Sequence, residues 1–111
     1  MDYSLCIQNT VEYINQHLFE QLTLDELSKV AGFSKYHFLR IYKNEMGMGI
    51  RDFIQMKRMH KAAQLLISSD LTVIDIAVIA NFDSQEAFTR AFKREYSLPP
   101  AQYRRTMMKI I

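Results

Sequence analysis

The chain has 111 residues, 49% of them apolar, with three glycines and two prolines. That length fits one domain or two very small ones sharing a core, and so few turn residues argue against an all-β protein full of tight turns and against a disordered tail. The net charge of +2 is unevenly spread: residues 1–33 carry one lysine against five carboxylates, whereas residues 34–111 carry thirteen basic against seven acidic residues, a distribution that suits a polyanion partner.

The first predicted element runs from Ser4 to Phe19, where Ile7, Val11, Ile14 and Leu18 fall on one helical face. In TLDELSKVAG, Thr23 followed three residues later by Glu26 has the form of a capping box, and Gly32 suits a helix C-terminus. The two-turn helix between them is expected to bury Leu24, Leu27, Val30 and Ala31. Ser34 then caps a further helix. Two short helices joined by a Gly-containing turn form a helix-turn-helix. After MGMG, a stretch without Gly or Pro from about Ile50 to Ser68 predicts a long helix. Its apolar residues lie on two lines, Phe53, Met56, Ala63 and Ile67 on one and Met59, Ala62 and Leu66 on the other, a surface wide enough for contact on two sides.

The first pattern then returns. LTLDELSKVAGFS from Leu22 is echoed by LTVIDIAVIANFDS from Leu71, with Thr72 and Asp75 repeating the cap and one extra residue in the turn. Ser34, Phe38, Arg40, Lys43 and Glu45 recur identically as Ser84, Phe88, Arg90, Lys93 and Glu95, five identities in twelve positions. A terminal helix follows, with Pro100 near its first position. The expected architecture is therefore all-α, with about seven helices. It has a first helix-turn-helix subdomain over 1–49, a linker helix over 50–69 and a second helix-turn-helix subdomain over 70–111.

Within the repeated helices, Phe38, Ile41 and Tyr42, and likewise Phe88, Ala91 and Phe92, are expected in the core. The outward set is Lys35, Tyr36, Leu39, Arg40 and Lys43 in the first helix, and Gln85, Glu86, Thr89, Arg90 and Lys93 in the second. These residue types suit nucleic acid: Arg pairs bidentately with guanine, Gln with adenine, Glu accepts from cytosine N4 and an apolar side chain meets a thymine methyl, while Lys suits phosphates. Packing alone does not require Arg at the same outward position twice. Glu86 could instead only pair with Arg90 one turn later, and Leu39 could lie on another face.

Other chemistry is absent from the pattern. His17, His37 and His60 are not at metal-ligand spacing with Cys6 or one another, the carboxylates sit mainly at helix starts, and no glycine-rich phosphate loop or nucleophile motif occurs. No enzyme activity, cofactor or metal is expected. No apolar run approaches bilayer-spanning length, and MDYSLCIQNTVEY lacks the order of a signal peptide. With Cys6 as the one cysteine, a reducing cytoplasm is the natural setting.

The segments AGFSKYHFLRIYK and NFDSQEAFTRAFKRE, followed by LPPAQYRR, resemble the AraC/XylS family of bacterial transcription regulators over about residues 5–106. The resemblance implies seven helices, with two recognition helices in successive major grooves on one face of double-stranded DNA. It further implies a monomeric DNA-binding unit, and activation through RNA polymerase. By position it makes Tyr36, Leu39 and Arg40 base-facing in the first unit, and Gln85, Glu86, Thr89 and Arg90 in the second. Asn81 stands where the family usually has Gly, but Asn tolerates positive φ. Many members carry an effector-sensing domain. Here the apolar ending MMKII suggests a fragment whose missing effector domain lay on the C-terminal side, a free-standing small regulator being the other reading. The same outward faces would also serve a protein-interaction module, which steeply salt-dependent binding of duplex DNA would exclude.

Overall fold

The computed structural model describes residues 2–110; Met1, and Ile111 at the end of MMKII, lie outside the described residues. Seven helices follow in chain order: α1 (Ser4–Gln16), α2 (Leu24–Ala31), α3 (Lys35–Met46), α4 (Ile50–Ser68), α5 (Val73–Ile79), α6 (Gln85–Tyr96) and α7 (Pro100–Ile110). No strand occurs among the described residues. The chain divides into two compact units, Met1–Lys57 and Arg58–Ile111, with the division inside α4.

The first unit closes α1, α2, α3 and the start of α4 around one core. Ile7, Ile14 and Leu18 supply the α1 face, Leu27 and Ala31 that of α2, and Phe38, Ile41 and Tyr42 that of α3. Val11, Leu24 and Met56 are only half-buried against it. From α4 come Ile50 and Ile54 as well as Phe53, so the apolar line that meets this core is broader than the sequence pattern suggested. Helix α1 ends at Gln16, three residues before Phe19, because the backbone N–H of His17 is shared between the carbonyls of Tyr13 and Ile14 and the chain turns.

At the start of α2 the capping box is half made. Thr23 Oγ1 accepts from the backbone N–H of Glu26 at 3.2 Å, but the Glu26 carboxylate accepts from the Tyr13 hydroxyl and so does not reach back to its own helix start. That contact ties α2 to α1, and the acceptor holds the Tyr13 phenol above its ordinary pKa. Helix α2 ends on Gly32 at φ 84°, with Phe33 N–H donating to Ser28 C=O at 3.0 Å, the six-to-one bond of a Schellman turn.

The second unit repeats this plan with the end of α4, then α5, α6 and α7. Its core holds Met59, Ala62, Ala63 and Leu66 of α4, Ile76 and Ala77 of α5, and Phe88, Ala91 and Phe92 of α6. Here the capping box is complete: Asp75 N–H donates to Thr72 Oγ1 at 3.1 Å, and Thr72 N–H donates to Asp75 Oδ2 at 3.4 Å. Asn81 takes the place of the turn glycine at φ 65°, as its tolerance of left-handed backbone allows. Phe82 N–H then bonds Ala77 C=O at 3.0 Å. Half-buried Arg104 donates from Nε to Leu66 C=O at 2.8 Å and from Nη2 to Ser69 C=O at 3.2 Å. It thereby satisfies carbonyls that the end of α4 leaves open.

Candidate nucleic-acid interface

The two repeated helices, α3 and α6, are launched by matching caps. Ser34 Oγ accepts from His37 N–H at 3.4 Å, and Ser84 Oγ from Ala87 N–H at 3.1 Å. Behind each, an aromatic pair locks the buried face. Phe38 packs on Tyr42 and Phe88 on Phe92, with ring centroids 5.7 Å apart in both units. With all four rings buried, the rotation of each helix is fixed, and so is its outward face.

On α3, Lys35, Tyr36, Leu39, Arg40 and Lys43 are all exposed. Tyr36 is 82% exposed and Leu39 42%, which settles Leu39 on the outward face. Positions 36, 39, 40 and 43 lie one turn apart and form a continuous surface. Lys35 is engaged within its own unit, its Nζ lying 2.9 Å from Asp25 Oδ1 of α2, and the ammonium holds the Asp25 carboxyl below its ordinary pKa. The sequence reading missed this pair, whose signal was a pair of opposite charges on either side of the predicted turn.

On α6, Gln85, Glu86, Arg90 and Lys93 are exposed and Thr89 is half-buried. Gln85, Glu86, Thr89 and Arg90 line a shallow concavity at the front of the helix. Among the described residues no ion pair joins Glu86 to Arg90, so the carboxylate and the guanidinium are both presented outward. Two basic side chains one turn apart, five and eight residues after the first residue of the helix, occur on each helix. The N-terminal N–H groups and these cations together favour an anionic partner.

No group of three or more His, Cys, Asp or Glu among the described residues could hold a metal ion, and no described helix is long and apolar enough to cross a membrane.

A family model for a helix-turn-helix domain matches residues 27–106. Over 109 residues the chain is 44% identical to an uncharacterised HTH-type transcriptional regulator, YbfP of Bacillus subtilis, covering 98% of this chain and 37% of that protein. It is 32% identical to the multiple antibiotic resistance protein MarA of Escherichia coli, covering 96% of this chain and 84% of MarA. The DNA-binding domain of the global transcriptional factor AdpA, solved in complex with a target DNA, superposes with a TM-score of 0.82 at 28% identity, covering 90% of each chain. The chain thus spans little more than a third of its longer relatives and most of its shorter ones. With two helix-turn-helix units and these matches along nearly its whole length, the chain belongs to the AraC/XylS family of helix-turn-helix transcription regulators.

Proposed function

We propose that this chain binds double-stranded DNA sequence-specifically, reading one major-groove segment with α3 and another with α6, in the service of transcription regulation in a bacterial cytoplasm. The observation that carries it is the recurrence of an outward Arg and Lys at equivalent positions of both helices, Arg40 with Lys43 and Arg90 with Lys93, all exposed. The guanidinium suits guanine O6 and N7 and the ammonium suits phosphate. Tyr36, Leu39 and Arg40, then Gln85, Glu86, Thr89 and Arg90, are the base-facing sets; Lys43 and Lys93 serve the backbone, and Lys35, paired with Asp25, serves it only when DNA displaces that pairing. Residues 1–49 and 70–111 act as two reading heads connected through 50–69. The AdpA domain, bound to its target DNA, supports the class of ligand.

In this reading the chain binds as a monomer and activates transcription by engaging RNA polymerase. Because the two base-facing sets differ, the operator is two unlike blocks about one turn of DNA, 10–10.5 base pairs, apart. Selection of bound duplexes from a random pool tests it. Enrichment of two blocks, with affinity falling steeply as salt rises, is expected; recovery of no common sequence overturns it. Binding to a protein through the same faces, unaffected by competitor DNA, would favour an interaction module instead.

A further inference from the structure

The two outward faces differ most where a base reader matters most. Aligned on their caps, Tyr36 and Leu39 of α3 stand where α6 has Glu86 and Thr89. The α6 front offers an amide, a carboxylate, a hydroxyl and a guanidinium, a set that reads hydrogen-bonding edges. The α3 front offers a phenol ring and an isobutyl group, both exposed to water. Lys35, next to Tyr36 in the chain, is occupied by Asp25, so Arg40 is left as its one charged base reader.

Neither exposed side chain is needed for the core, which Phe38, Ile41 and Tyr42 already fill on the other side of α3. A water-exposed aromatic and a leucine one turn apart, bordered by Arg40 and Lys43 and with no carboxylate at positions 36, 39, 40 and 43 of α3, match a surface that is apolar in patches and anionic around them. In the major groove that description fits the C5-methyl group of thymine, the apolar feature displayed by the base pairs there.

Resting on the DNA-reading role proposed above, we propose that the first unit recognises its block chiefly through thymine methyl groups, one against the ring of Tyr36 and one against Leu39, beside a guanine taken by Arg40. Tyr36 and Leu39 are then the specificity-determining residues of the first block. The second block is read by hydrogen bonds and depends little on methylation of its pyrimidines.

The test uses the duplex enriched from the random pool. The first block is identified as the one whose preference Arg40→Ala relaxes. Replacing its thymines one at a time with deoxyuridine removes only the methyl group and leaves every hydrogen-bonding atom in place. Affinity is expected to fall about fourfold at each of two positions, the factor that burial of one methyl group supplies. Leu39→Ala should erase the deoxyuridine penalty at one of these positions, and Tyr36→Ser at the other. Both residues are exposed, so neither variant should lose its fold. If deoxyuridine is accepted everywhere in the first block at full affinity, the inference is overturned while DNA binding itself stands. If the penalty appears but persists undiminished in both variants, it reflects the stiffness of the DNA and the inference is again overturned. Should no duplex be enriched at all, the DNA-reading role fails and takes the inference with it.

Discussion

The two units solve the same packing problem with different chemistry at three places. The first has Gly32 in its turn, a half-made cap at Thr23 and a buried tyrosine hydroxyl at Tyr42; the second has Asn81, a full capping box at Thr72 and a phenylalanine, Phe92. What both keep is the serine cap, the buried Phe one turn in, and the outward Arg and Lys. What is kept fixes the orientation of a helix; what is free to vary is the way the rest of the unit holds it. The Tyr42 hydroxyl is buried without a hydrogen-bond partner, and burial pushes the phenol well above its ordinary pKa.

The largest effects should come from the shared anchor. Phe38→Ala and Phe88→Ala each empty a fully buried site and should cost about 3–5 kcal/mol of stability, measured by urea denaturation. Equal losses would show that the two cores bear the same load. Loss of DNA binding with unchanged melting would mean that one of these rings does not face the core.

Next come the outward cations. Arg40→Ala and Arg90→Ala should each weaken specific binding by about 1–3 kcal/mol and relax the preference at one position, in different blocks of the operator. Lys43→Ala and Lys93→Ala should instead weaken binding evenly across sequences and lower the salt slope by about 1 each. An Arg variant that loses affinity equally for every sequence would reclassify that guanidinium as a phosphate contact.

These predictions rest on features that could be read before any coordinates. A helical period of 3.6 in so short a repeat puts Phe38, Ile41 and Tyr42 on one side and Tyr36, Arg40 and Lys43 on the other whatever the neighbours do. Ser34 and Ser84 cap through contacts three residues away, equally local. The misreadings are all non-local. Glu26 abandons its own helix start for Tyr13, thirteen residues earlier, which requires α1 and α2 to be packed. Ile50 and Ile54 share a helical face with Phe53 by their spacing, but that this face meets the first core depends on how α4 packs against α3. Lys35 meets Asp25 only once the turn has folded, and Arg104 finds the end of α4 from 38 residues away. Thr89 turned out half-buried, since a face boundary on a helix is set by what packs beside it.

The buried hydroxyl gives a smaller and opposite test. Tyr42→Phe removes a polar atom that was desolvated without compensation, and should stabilise the protein by about 1 kcal/mol. The reciprocal Phe92→Tyr places a hydroxyl in the second core and should destabilise by about 1–3 kcal/mol. A loss of stability in Tyr42→Phe would show that the hydroxyl has a partner, such as a buried water.

The smallest expected difference is electrostatic and confined to the first unit. Asp25 and Lys35 have Ile74 and Gln85 at the corresponding places of the second, so only the first unit has a charge pair spanning its turn there. Lys35 depresses the Asp25 pKa from its ordinary 3.8. A carboxyl depressed in the folded state contributes stability above the unfolded pKa, near pH 4, and loses it as pH falls through the folded value. Lys35→Met should return the Asp25 titration midpoint towards 3.8, read by NMR of its side-chain carboxyl. Stability of the variant and of the unaltered chain should converge below the depressed midpoint. The pair is solvent-exposed, so the stability difference at neutral pH should be slight and shrink further in high salt. An Asp25 midpoint that ignores the loss of Lys35 would show that the ammonium is not held across the turn. Lys35 would then be free to reach a phosphate, and the first unit would gain a contact that the pairing otherwise withholds until DNA competes for it.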